Sequence, residues 1–477
     1  MALIIVQQPL SPDTHISTPR IFNRVPAGQQ LVFGVLDSTI VANAYNVKYR
    51  AEVKVSPQAL SGLSQVIGTF KTTPNNAGVG IFDLRPILET FVKADNDASE
   101  GTSYKNNPQN RVEFPMHLID KFGLSDNGIR VFAVNFYVEY SISPTSAILV
   151  SDPEPTPTWL LFNGVLQPDD ILTLTNGNYG YDLSAFATSS ASDNLQFLSN
   201  APLVQYARIA DYGTLPFFNF TYSLAGVIKN MASVSYAFFT ADGTPITTLT
   251  YANDDSTGGV SNLNFKANQF LMYVGAFPAN LRQWNGTIDS VLTSTVTPVS
   301  YYTVKVTDVE GNDSVENKIY IICPNERGYE GIRLTWLNQW GTWDYYTFNM
   351  KSTRTTSTNR ISYTQQGGTW NESTFKIKGW KGGKKNFRVN STEKIKLNTD
   401  FVTEAEGVWF EELINATDVY IVNEYSAGDD SATMTNKYIE PITLTTSSYV
   451  KKTIANDKLM QYTFEIEKSK MQRTQAV

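Results

Sequence analysis

The sequence holds very little of what most reaction chemistry uses. Among 477 residues there is one cysteine, Cys323, so no disulfide can form within the chain and a small stapled scaffold is excluded. Histidine occurs only at His15 and His117, too few for a metal cluster or for imidazole-based acid–base work. There is no glycine-rich phosphate loop ending in Lys-Ser or Lys-Thr, no HExxH, no paired CxxC and no GxSxG. Nucleotide, zinc and esterase chemistry therefore each lack their mechanical parts. Charged residues make up 17%, below the ~25% of ordinary soluble chains. No run approaches the ~18 apolar residues of a membrane helix. The opening Met1–Leu10 has no basic segment and its apolar run stops at Val6, which predicts synthesis in a cytoplasm without a secretory leader.

What is present points to sheets. Hydrophobic residues reach 42% and aromatics 12%, a composition that folds. The net charge of −7 argues against a general attraction to nucleic acid. Apolar and polar residues alternate over Tyr45–Val55, Val131–Tyr140 and Tyr302–Val306, the period of half-buried strands. Turn pairs at Asn163-Gly164, Asn176-Gly177, Asp242-Gly243 and Asn285-Gly286 punctuate such runs. Two helices interrupt them. One follows Asp83, with Pro86 where a missing donor costs little and Ile87, Leu88 and Phe91 on one face. The other is predicted over about 404–416, where Thr403 and Glu406 have capping-box spacing and Ala405, Trp409 and Leu413 recur every fourth residue. The fold class is therefore all-β: several β-sandwich domains of immunoglobulin or fibronectin type in tandem, with a few short helices.

At ~100–200 residues per domain the length predicts three domains. The proline-rich Ser151–Pro157 reads as a linker after the first. The hairpin of Tyr302–Val306 and Lys318–Ile322 reads as the closing element of the second. Expected domains are 1–152, 153–325 and 326–477, the third containing the 404–416 helix.

Few segments could carry chemistry. Asp95-Asn-Asp97-Ala-Ser99-Glu100-Gly101 starts like an oxygen-rich calcium loop but lacks the sharp-turn glycine and the terminal acid, so a polar surface loop is the better reading. Glu411-Glu412 is the most visible carboxylate pair, yet helical neighbours point ~100° apart, which does not suit joint acid–base work. No catalytic residue, cofactor or metal ligand is assigned. Tryptophans gather late, at Trp336, Trp340, Trp343, Trp370, Trp380 and Trp409. Leu334–Phe348 reads as strand, glycine turn and strand, with more aromatic surface than a domain of ~150 residues readily hides. Trp336, Trp340, Trp343, Tyr345 and Trp380 are thus candidates for a subunit interface, with a place in the domain core as the competing reading and stacking on sugar rings as the alternative. Between Lys376 and Lys396 eight bases face one acid, Glu393. The glycines among Lys376, Lys378, Lys381, Lys384, Lys385 and Arg388 mark a hairpin tip. That basic loop has three readings: solvent, DNA backbone, or the acidic stretch Asp400–Asp430 of a neighbouring subunit.

Several of these segments form a recognisable pattern. Leu-Thr-Trp-Leu-Asn-Gln-Trp-Gly-Thr-Trp-Asp-Tyr-Tyr-Thr-Phe at 334–348, then Glu404–Tyr420, Tyr438–Ile442 and Tyr462–Ile466, with Phe197–Pro202 and Asp211–Leu215 upstream, make up the pattern. It resembles virion structural proteins of tailed phages of Bacteroidetes, including crAss-like podoviruses. One departure is Thr417-Asp418, where the family usually has a short polar pair. The resemblance implies a non-enzymatic structural subunit of a bacteriophage tail, a ring or tail-hub component assembling around the DNA channel. Its implied partners are copies of itself in a ring, other tail or collar proteins and phage DNA in the channel. Its implied place is the virion tail, after synthesis in the host bacterial cytoplasm. A receptor- or glycan-binding tail protein is the alternative, and a tail glycosidase the third reading.

Overall fold

The computed structural model describes residues 3–9, 23–56, 65–95, 122–125, 127–165, 195–219, 231–253, 270–284, 286–309, 311–322, 328–423, 439–448 and 460–473, with isolated pieces at 63, 167, 172–173, 179–180, 186, 223–224, 227–228 and 450. The Asn176-Gly177 pair and Cys323 lie outside them. The fold is all-β over several sheets, with short helices between strands. The chain divides into two compact units. The first comprises Met1–Cys323, Leu337–Tyr345 and Glu424–Asn436, and the second Pro324–Trp336, Tyr346–Asn423 and Lys437–Val477.

The first unit contains two pairs of sheets. In one pair, Tyr45–Ser56 and Ile129–Ser141 lie antiparallel at the centre of a seven-stranded sheet, flanked by Val66–Thr72 and by Trp159–Phe162. Alternate residues face inward: Tyr49, Ala51, Val53, Phe132, Val134, Phe136 and Val138 are all buried. They meet Phe33 and Phe82 of a three-stranded sheet formed by Ile4–Gln7, Val32–Leu36 and Gly80–Asp83. The Phe136 ring centroid lies 5.7 Å from that of Phe33 and 5.6 Å from that of Phe82. In the second pair, Met231–Phe239 and Tyr301–Asp308 are central to a five-stranded sheet, and Thr214–Phe218, Leu271–Gly275 and Phe122–Leu124 make a three-stranded one. The buried phenols of Tyr236 and Tyr302 bind the two together, donating to the carbonyls of Gly275 and Ala276 at 2.7 Å each.

Three sequence expectations need correction here. Ser151–Pro157, expected as a linker, belongs to the first sheet: Glu154–Pro155 pairs with Phe136 and Asn135, and the N–H groups of Ser151 and Thr156 donate to Val138 and Val134. Its prolines are tolerated because the segment runs at an edge, where a missing donor leaves no ladder bond unmade. Phe122–Leu124 pairs with Leu271–Gly275, so residues expected in the first two domains share one unit. Gly286, read as part of a strand turn, opens the second of two short helices, Pro278–Trp284 and Gly286–Leu292. With Ser38–Asn43 these helices span only one or two turns, too short for a 3.6-residue period to register. Asp37 was the available sign, since its Oδ1 accepts from the N–H groups of Thr39 and Ile40.

The second unit contains most of a seven-stranded antiparallel sheet and one helix. Its order is Trp343–Phe348, Ile332–Leu337, Val419–Val422, Ile439–Leu444, Thr463–Lys468, Gly383–Asn398 and Thr353–Gln365. The helix Glu404–Asn415 starts in a complete capping box: Glu406 N–H donates to Thr403 Oγ1 at 3.3 Å, and Thr403 N–H to Glu406 Oε2 at 2.7 Å. Its inward residues Trp409, Phe410 and Leu413 are buried. Trp409 meets Trp336 at 4.9 Å, and Phe410 meets Tyr346 at 4.8 Å and Phe464 at 5.6 Å. Among the described residues no helix is long and apolar enough to cross a membrane.

Candidate interaction surface

Of the late tryptophans, Trp336 lies in a strand and Trp409 in the helix, and the other four divide between two hairpin tips. The first tip, Asn338–Tyr345, lies in the first unit. Gly341 turns it at φ 72°, and a Cβ there would stand 1.7 Å from the Asn163 carbonyl oxygen, so only glycine closes this turn. Asn338 organises the rest. Its Oδ1 accepts from the N–H groups of Trp340 and Thr342 at 3.0 and 3.1 Å, and its Nδ2 donates to the Leu198 carbonyl at 3.0 Å and to Asp344 at 3.1 Å. Ser199 donates to Asp344 at 2.5 Å, Thr342 to the Leu198 carbonyl at 2.7 Å, and the Tyr345 and Thr214 hydroxyls lie 2.9 Å apart. Segments 197–202, 211–215 and 338–345, which carry much of the family resemblance, thus meet in one hydrogen-bonded network.

That network corrects the interface expectation. Trp340 is 5% exposed, Trp343 1% and Tyr345 4%, and Trp336 in the second unit is fully buried. Trp340 packs on Phe186 with centroids 4.5 Å apart, and Trp343 Nε1 donates to the Asp95 carbonyl at 2.6 Å. These four rings are core: Trp336 packs on Trp409 of the helix, and the three rings of the tip find partners more than a hundred residues upstream, so the third expected domain does not have to hide them alone. Asp95 also has structural work: its carboxylate accepts from Ser125 Oγ at 2.6 Å and from Asn127 N–H at 2.7 Å. The remainder of the calcium-like segment, Asn96–Gly101, lies outside the described residues.

The second tip stands at the end of an arm formed by Thr353–Gln365 paired antiparallel with Gly383–Asn398. Only Lys394–Asn398 of the inner strand pairs with Thr463–Lys468, and a further backbone bridge joins Ser391 to Gln472. From Asn390 to Gly383 the hairpin is two-stranded and projects about 25 Å at ~3.3 Å per residue. Its outer strand, polar apart from Ile361 and Tyr363, is exposed along almost its whole length. The tip supports itself. Trp370 Nε1 donates to the Gly367 carbonyl at 2.8 Å, Lys376 N–H donates to Thr369 Oγ1 at 2.9 Å, and Trp370 packs edge-on against Phe375 at 5.4 Å. Trp370, Phe375, Ile377 and Trp380 all point into solvent, with Trp380 69% exposed. Of the interface candidates, Trp380 is the one on an open surface.

Charge changes sign of pairing along the arm. At its root Arg354 bonds Glu330 at 2.8 Å and Glu393 at 3.1 Å, while Lys468 lies 3.6 Å from Glu393 and 3.1 Å from Glu440. Beyond it, Lys376 has a long 3.6 Å contact with Glu372. Lys378, Lys381, Lys384, Lys385 and Arg388 have no acid within ion-pair distance among the described residues. Residues 360–390 hold seven bases and one acid, a net +6.

A cavity of about 20 Å³ beside Phe217, Met231 and Asp308 fits about one water. No group of three His, Cys, Asp or Glu among them is placed to hold a metal. Glu411 and Glu412 sit half-buried on their helix. No protein-family model and no curated protein matches the chain. Among solved structures it is similar to trypsin-activated alpha-2-macroglobulin from Escherichia coli at 9% identity, over 97% of this chain and 23% of that one, with a TM-score of 0.19. So low a score carries nothing about fold or function.

Proposed function

We propose that the chain is a non-enzymatic structural subunit of a bacteriophage tail, a ring or tail-hub component that assembles with copies of itself and with other tail or collar proteins around the DNA channel. The observation that carries this reading is the arm, whose apolar rings and bases face water on a hairpin that, among the described residues, no third strand supports. Isolated two-stranded hairpins are marginal in water, and exposed apolar patches of this kind mark contacts. The phage setting comes from the resemblance of 334–348, 404–420 and 197–215. The virion tail is then the place of the protein.

Purified chain examined by mass photometry and negative-stain microscopy over rising concentration should pass from monomer to closed rings. A chain that stays monomeric at all concentrations contradicts the reading. One observation favours a second: Trp370 and Trp380 are shaped and exposed as platforms for sugar rings. A receptor- or glycan-binding tail protein would bind host surface polysaccharide through them, and Trp380→Ala would abolish that binding while leaving assembly intact.

A further inference from the structure

The arm has a counterpart on the same chain. Residues 397–423 contain six acids and no base: Asp400, Glu404, Glu406, Glu411, Glu412 and Asp418. Most belong to the helix Glu404–Asn415 or its flanks. Glu404, Val408 and Glu411, spaced four and then three residues apart, share a helix face. Val408 is 52% exposed and the neighbouring Phe401 51% exposed, on a surface otherwise dominated by acid. One patch is therefore basic with exposed aromatic rings, and the other acidic with exposed apolar side chains. The whole chain carries −7 and residues 360–390 carry +6, so the remainder carries −13. Charge is segregated within one polypeptide, which favours contact between copies over contact with a polyanion.

We infer that the arm tip of one copy, centred on Trp380, Lys384 and Lys385, seats on the acidic helix face Phe401, Glu404, Val408 and Glu411 of a second copy. This rests on the self-assembling reading above and names its contact. The physical reasons are three. The distal bases Lys378, Lys381, Lys384, Lys385 and Arg388 have no acid at ion-pair range among the described residues. The two-stranded arm gains the support it lacks. The outer strand Thr353–Gln365 is the last in its sheet, an edge without proline and without a partner strand among the described residues, which is a surface prone to pairing with another chain. The two patches are different surfaces, so the contact is heterologous. Such contacts propagate head to tail, and close into a ring when the rotation per subunit divides a full turn. The tip's own hydrogen bonds fix its shape before contact, which lowers the ordering cost of association.

The test is a charge exchange on the full chain, read by sedimentation velocity, with melting curves to verify folding. Lys384→Glu with Lys385→Glu should weaken self-association roughly tenfold or more, and Glu404→Lys with Glu411→Lys should do the same. Mixing the two variants should restore association between them, because each supplies the surface the other has lost. Trp380→Ala, on an exposed ring that supports no core, should weaken association without lowering the melting temperature. If the wild type assembles and the arm variants assemble equally well, the inference fails and the assembly reading stands. If the wild type never assembles, both fail. If the arm variants keep self-association but lose binding to duplex DNA, the arm belongs to the channel's DNA and the inference is overturned.

Discussion

The tips at Asn338–Tyr345 and at Gln366–Gly382 are built from the same materials, glycine, tryptophan and polar residues between two strands, and end in opposite surroundings. At the first, Asn338 and Thr342 satisfy the turn and bond the Leu198 carbonyl, and the rings of Trp340 and Trp343 are taken into the first unit. At the second, the turn is satisfied by its own Thr369, Gly367 and Gln365, and the rings stay in water. Tryptophan by itself therefore says only that a large contact will be made. Whether the contact lies inside the chain or outside it depends on where the polar groups of the turn find their partners. A tip bonded to distant backbone is held as core, and a tip bonded only to itself is free to be covered by something else.

Substitutions can break or sharpen this contrast. The largest effect is expected at Gly341→Ala, where the new Cβ meets the Asn163 carbonyl and the positive φ is strained: a loss of about 4 kcal/mol or more in chemical denaturation. Trp343→Ala, which empties a buried site and removes the hydrogen bond to the Asp95 carbonyl, should cost about 3–5 kcal/mol. A smaller effect belongs to Tyr346, next along the packed hairpin. Burial raises its phenol pKa well above the ordinary value, outweighing the Asp400 N–H it accepts, with the charges of Glu406 and Asp400 acting in the same direction as burial. The folded state thus holds the phenol neutral while the unfolded chain ionises near pH 10. Stability is complete below that pH and is lost as pH rises above it, and Tyr346→Phe should make the alkaline decline in melting temperature shallower. The smallest effect is expected on the arm, where Trp380→Ala should move stability by no more than about 0.5 kcal/mol. A large loss there would mean that the arm's rings are core after all.

Much of the fold was legible where the signal is local. Tyr45–Ser56 alternates cleanly because one face is buried and the other is not, and Thr403 with Glu406 announces the helix at 404 because both capping bonds are made within one turn. The burial of Trp340 and Trp343 was not legible, since it depends on Leu198, Asn163 and Asp95, brought near only by the fold. The strand Thr353–Gln365 did carry a readable sign. Its run of Thr, Arg, Ser and Asn is polar apart from Ile361 and Tyr363, as befits a strand whose outer edge has no partner among the described residues. What hid the arm was its connection, far longer than the ~2–5 residues by which hairpins are recognised. The basic residues 376–388 were readable as a patch, but their isolation from acids needed the pairing of Arg354, Lys394 and Lys468 at the root to be known.

Assembly through the arm predicts which tryptophans become covered when copies meet, and oxidative footprinting by hydroxyl radicals reads that directly, ring by ring, in monomer and in assembled particles. Trp340 and Trp343 should resist oxidation in both states, while Trp380 should be oxidised readily in the monomer and protected on assembly. Equal oxidation of Trp380 in monomer and particle would contradict the claim that the arm tip joins the copies.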